Sequence, residues 1–219
     1  MISSLYVLYA NARRFVMMSV LLMMFVLPVE AQQFVYPTVS SLFQQKGDTM
    51  TTLRVEQRSK KSRYILSGAD YKVTCEGNRA MTRYIRSRAV AVSVNDSLFV
   101  NCKRMKYKNY TFGGRYALAY RVQNRIFWSA QPVGQIATLH ARDPKSAKLP
   151  GEVGDAIQAS SLVSKKVLYE LDPETGASYF VDKDRMKIIL SAYPDLLAEF
   201  DKETSESAEV MLRYLLQLK

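Results

Sequence analysis

The apolar pattern of this chain changes period near residue 182, and that change restricts the fold more than any single motif does. Before it, apolar and polar residues alternate. Val90, Val92 and Val94 lead through Asn95, Asp96 and Ser97 into Leu98 and Val100. Tyr116, Leu118, Tyr120 and Val122 lead through Gln123 and Asn124 into Ile126 and Trp128. Period two interrupted by turn formers specifies antiparallel hairpins, with Val90, Val92 and Val94 expected on one face. A third hairpin is expected where Val167, Leu168, Tyr169 and Leu171 meet the turn from Asp172 to Gly176, with Tyr179, Phe180 and Val181 beyond it. Leu53 with Val55, the stretch from Tyr64 to Leu66, and Tyr71 with Val73 read as further strands.

After the change, Met186, Ile189, Leu190 and Tyr193 recur at i, i+3, i+4 and i+7. Asp182 is placed to cap that helix and Pro194 to end it, and Asp195 is expected to cap a shorter successor carrying Leu196, Leu197 and Phe200. A last helix presents Met211, Tyr214, Leu215 and Leu218 on one stripe. Apolar stripes of this kind need a surface to cover them, and the preceding sheet is the natural one. The expected fold is therefore α+β: a mostly antiparallel β-sheet framework with C-terminal amphipathic helices. Weaker signals give a short basic helix over 79–88, a long connection from 131 to 154 broken by a strand near 136–139, and an entrance segment over 32–52 touching the core at Leu42 and Phe43.

The start of the chain has a different logic. Arg13 and Arg14 precede the apolar run 15–27, and Val29 and Ala31 supply small residues at the minus-three and minus-one positions of a cut after Ala31. This is the layout of a cleaved secretory signal over 1–31, and the run is shorter than the roughly 20 residues that span a bilayer. The working region is then 32–219, read as a basic β-rich part (32–135) and a hairpin and helical part (136–219) packed with it as one domain. Its expected location is extracytoplasmic: periplasmic, cell-surface associated or secreted, with no stable transmembrane segment after cleavage.

The 219 residues carry a net charge of +11, unevenly placed. Residues 32–135 hold 18 Lys and Arg against 5 Asp and Glu, whereas residues 136–219 hold 11 against 14. A basic half focuses anionic partners by long-range attraction. Its densest aromatic stretch combines Lys103, Arg104, Lys106 and Lys108 with Tyr107 and Tyr110, and these six are the candidate binding residues. An envelope protein, an anionic glycan or an acidic surface fits them. Nucleic acid is disfavoured, because export removes it from reach and no helix-turn-helix, zinc spacing or RNA-binding aromatic motif is present.

In an oxidising compartment Cys75 and Cys102 are expected to pair, which in the loop-entropy account stabilises the fold by roughly 3 to 4 kcal/mol. Two buried thiols are the alternative. Neither cysteine belongs to a C-x-x-C arrangement, so redox chemistry is not expected. One histidine, His140, and two cysteines do not build a histidine-rich or thiolate metal site. Asp182 and Asp184 sit where a helix start needs acceptors, and no nucleophile elbow surrounds Ser160, Ser161 or Ser164. Accordingly no catalytic residue, cofactor or metal ligand is assigned.

The stretches NDSLFVNCKRMKYKNYTFGGRYALAY (95–120) and DKDRMKIILSAYPDLLAEFDKE (182–203), with the export segment, resemble uncharacterised exported proteins of Bacteroidetes. The resemblance covers most of the region after the signal and implies an envelope or extracellular setting, without catalytic residues to carry over. The reading is a non-enzymatic binding or envelope-interaction domain. A hydrolase or glycan-processing enzyme with a spatially assembled site, and a purely structural accessory domain, are the alternatives.

Overall fold

The computed structural model describes residues 32–59, 61–62, 69–137, 165–205 and 207–218. The expected signal segment, the strand expected at Tyr64 to Leu66, His140 and the serines at 160, 161 and 164 lie outside them.

Twelve strands are described: β1 (Gln33–Tyr36), β2 (Asp48–Met50), β3 (Leu53–Gln57), β4 (Tyr71–Cys75), β5 (Ala91–Val94), β6 (Ser97–Asn101), β7 (Lys106–Tyr107), β8 (Tyr110–Thr111), β9 (Tyr116–Val122), β10 (Arg125–Ala130), β11 (Val167–Leu171) and β12 (Ser178–Val181). The helices are α1 (Val39–Phe43), α2 (Arg79–Ser87), α3 (Lys183–Leu190), α4 (Pro194–Phe200) and α5 (Ala208–Leu215), followed by a 3-10 turn over Leu216–Leu218. This is the α+β architecture expected from the change of period. The main sheet runs β12-β11-β10-β9-β6-β5-β1-β2, and β3 joins through β4, which meets β9 at Tyr71 and Tyr116. The strand pairs of this sheet are antiparallel.

Alternation assigns the two faces. Along β6, Leu98 and Val100 enter one apolar cluster and Phe99 another; along β9, Ala117 and Ala119 take the first side and Tyr116 and Leu118 the second. The first cluster gathers Tyr36 of β1 together with Tyr169 and Leu171 of β11, which are far apart in strand order. The sheet therefore curls around it. Gly176, in the β11–β12 turn with φ +69°, closes against α1: a Cβ there would stand 3.0 Å from Val39 Cγ2. The opposite face is covered in two parts. Val122, Phe127, Leu168 and Val181 pack under Met186, Leu190, Phe200, Met211 and Leu215 of the C-terminal helices, while Val35, Val92 and Phe99 pack under Ile85 of α2.

Four expectations change. The entrance segment is part of the sheet: β1 sits between β5 and β2, and α1 buries Leu42 fully. Its alternation spans only four residues, Phe34 and Tyr36 facing one way and Val35 the other, too few to register as a pattern. Val90 precedes β5 and packs on the opposite face from Val92 and Val94. Residues 135–137 form a helical turn rather than the start of a strand, with Ile136 buried. Finally, Asp182 does cap α3, accepting from Arg185 N at 2.8 Å, but α3 stops at Leu190. Tyr193 is the N-cap residue of α4, Pro194 its first residue, and Asp195 lies in its first turn. Proline tolerates the first helical position because that N–H has no intrahelical partner.

The expected disulfide is overturned. Cys75 and Cys102 are both free, buried thiols. Cys75 Sγ lies 3.1 Å from Thr52 Oγ1 in the cluster beneath α2, whereas Cys102 lies in the cluster enclosed by the curl. Two side chains on opposite faces of a sheet cannot bring their sulfurs together without moving backbone, so loop-closure entropy has no bond to act through.

Candidate functional site

The six candidate binding residues all fall on one segment between β6 and β9. Asn101, Cys102 and Met105 are fully buried and fix its base. Arg104 N donates to Asn101 O at 2.8 Å and Met105 N to Cys102 O at 3.3 Å, which turns the chain over within four residues. β7 and β8 then pair as a two-residue ladder, Lys106 opposite Thr111 and Tyr107 opposite Tyr110, with Lys108 at φ +52° in the turn.

A ladder this short is not stable alone, and aromatic packing holds it. Phe112, just after β8, is buried edge-on between Trp128 (centroids 4.6 Å apart, 78°) and Tyr169 (4.7 Å, 74°). The half-buried Tyr107 ring lies 5.9 Å from Tyr169. Tyr110 is 45% exposed, yet its ring covers Gly134 so closely that a Cβ there would collide with it. Trp128, Phe127 and Tyr116 belong to the core, so they are closed to a ligand.

Lys103, Arg104, Lys106 and Lys108 are exposed. Among the described residues none of the four forms an ion pair, although Lys108 Nζ sits 5.4 Å over the Tyr107 ring. A surface ion pair contributes only about 0 to 1 kcal/mol, so leaving these cations unpaired costs little stability while keeping their field intact. Four exposed cations thus stand on the segment that runs from the buried Asn101 into this hairpin.

No sequence signal points to Asn101, which supports the segment from within. Its Nδ2 donates to Ala89 O (2.8 Å), Ile85 O (3.1 Å) and Arg86 O (3.4 Å), and its Oδ1 accepts from Lys103 N at 3.2 Å. Tyr116 OH donates to Ile85 O at 2.8 Å as well. Carbonyls at a helix end lack intrahelical partners, and here a buried side chain satisfies them while holding the turn that carries Lys103 and Arg104. On α2 itself, Arg79, Arg83 and Arg86 stand at i, i+4 and i+7, are exposed, and border one shallow cleft of about 400 Å³ with Thr82 and Asn78. That spacing is legible in the sequence; the link through Asn101 is not.

A second grouping also lacks a sequence signal, because its members lie 96 residues apart. Lys166 Nζ pairs with Asp70 where two clefts of about 340 and 740 Å³ meet, both taking in Ser129. Elsewhere Glu170, buried, forms an ion pair with Arg125 and accepts from Arg185, and so ties β10, β11 and α3 together. Among the described residues no three His, Cys, Asp or Glu side chains are placed to hold a metal ion, and no helix is long and apolar enough to cross a membrane.

Residues 34–219 match the model of one family, described as a family of unknown function (DUF6563). No curated protein and no solved structure matches the chain.

Proposed function

We propose that this chain, which belongs to the DUF6563 family of unknown function, works outside the cytoplasm as a non-enzymatic binding domain, holding an acidic envelope component on the β7–β8 hairpin. Export is supported by Arg13 and Arg14 before the apolar run 15–27 and by small residues before a cut after Ala31. Binding is supported above all by one arrangement. Four exposed cations stand on a hairpin whose own aromatic residues are used to anchor it. A chain that needed those charges only to stay hydrated has no need to hold them on a buried base of Asn101, Cys102 and Met105. The expected partner is an envelope protein, an anionic glycan or an acidic surface.

The test is recovery of partners from envelope extracts by the exported product. The baits are the wild type and a variant with Lys103, Arg104, Lys106 and Lys108 all replaced by Gln. The wild-type product should begin at Gln32 and retain envelope material that the folded variant loses. Equal recovery by the two would contradict the role of the hairpin.

A further inference from the structure

We infer that α2 and the β7–β8 hairpin form a single two-part surface for an anionic polysaccharide, with Arg79, Arg83 and Arg86 as its second half. This rests on the binding role proposed for the hairpin and extends it to a ligand class.

Three observations carry it. First, the two cation sets are joined by a fixed connection rather than by loose chain: the buried Asn101 side chain bonds both Arg86 O and Lys103 N, so the end of α2 and the base of the hairpin share one residue. Second, the arginines converge. They line the same cleft, and among the described residues none of the three has an ion-pair partner. Like charges at i and i+4 work against a helix, and a bound anion relieves that repulsion. Their positive charge suits sulfate, phosphate and carboxylate groups alike.

Third, the surface lacks what a bilayer would need. Among the described residues the large exposed apolar side chains are Tyr110, Tyr179 and Ile188, and only Tyr110 belongs to this surface, where it covers Gly134. Membrane-surface binding draws on buried apolar area as well as on charge. A linear polyanion needs only the charges: Arg79 to Arg86 extends about 10 Å along the helix, and the backbones of Arg86 and Lys103 both bond the Asn101 side chain.

The probes are dextran sulfate, vesicles of phosphatidylglycerol and phosphatidylcholine, and polyglutamate, compared at equal charge concentration in about 0.15 M salt. The proteins are the wild type, the hairpin Gln variant, a variant with Arg79→Gln, Arg83→Gln and Arg86→Gln, and one with the same three changed to Lys. Each Gln variant should bind dextran sulfate at least about tenfold more weakly than wild type, with a shallower dependence on salt, while the Lys variant keeps most of the affinity. Loss in the hairpin variant with an unchanged α2 Gln variant would overturn the two-part surface and leave the hairpin's role standing. No loss in either would remove both. Equal loss in the Lys and Gln variants of α2 would show a structural effect and overturn the charge argument. Tighter binding to vesicles or polyglutamate than to dextran sulfate would overturn the polysaccharide assignment.

Discussion

Cys102 shows what a strand-like context leaves open. It sits fully buried beside the end of β6, where burial pushes its thiol up, and the nearby Asp70 carboxylate acts in the same direction. A thiol held in its neutral form is a poor nucleophile, since the thiolate is the reactive species. Cys75, also buried, has Thr52 Oγ1 at 3.1 Å. Alkylation without reductant should therefore add two labels to the unfolded chain and none to the native protein within minutes at pH 8. Zero labels on the unfolded, unreduced chain would mean that the sulfurs are bonded and would contradict the placement of the two residues on opposite faces. Apolar alternation around each cysteine was readable from the sequence. Which face each one took depended on strand pairing across the sheet, and no local pattern encodes that.

The elements that could be read in advance are those whose turns and periods agree. The β5–β6 hairpin turns through Asn95 and Asp96, both at positive φ (51° and 60°), as a two-residue turn matching strand twist requires. The β11–β12 turn uses Asp172, whose carboxylate accepts from Glu174 N and Thr175 N. By contrast, β1 leaves no legible pattern because four residues give too few alternations, and the hairpin's coupling to α2 leaves none because Asn101 acts through contacts 12 to 16 residues away. That coupling is testable. Asn101→Leu keeps approximate size but removes the donors to Ile85 O, Arg86 O and Ala89 O. It should destabilise the protein by about 1 to 3 kcal/mol in urea denaturation, the usual consequence of leaving buried carbonyls unpaired. A change below about 0.5 kcal/mol would show that α2 and the turn hold their places without it.

Across the whole molecule the curled sheet encloses one apolar cluster and is covered on its other face. Its opposite face is closed by the C-terminal helices, whose apolar residues cover Phe127 and Leu168, and by α2. The basic hairpin rises from the edge of the enclosed cluster, where Met105 and Phe112 are buried. Part of the positive charge in 32–135 reaches solvent on α2 and the hairpin, while acidic residues such as Asp184, Asp195 and Glu209 sit in the first turns of the C-terminal helices, where negative charge is favourable. Composition shows the charge of each half; only the packing shows that the backbones of α2 and of the turn before the hairpin meet at Asn101. A photo-crosslinking residue at Asn109, in the hairpin turn, should capture an acidic envelope component in intact cells. The same residue at Ile188, exposed on α3 and packed with the opposite face, should not. Capture at Asn109 alone is the predicted result; capture at Ile188 with none at Asn109 would contradict a binding role for the basic hairpin.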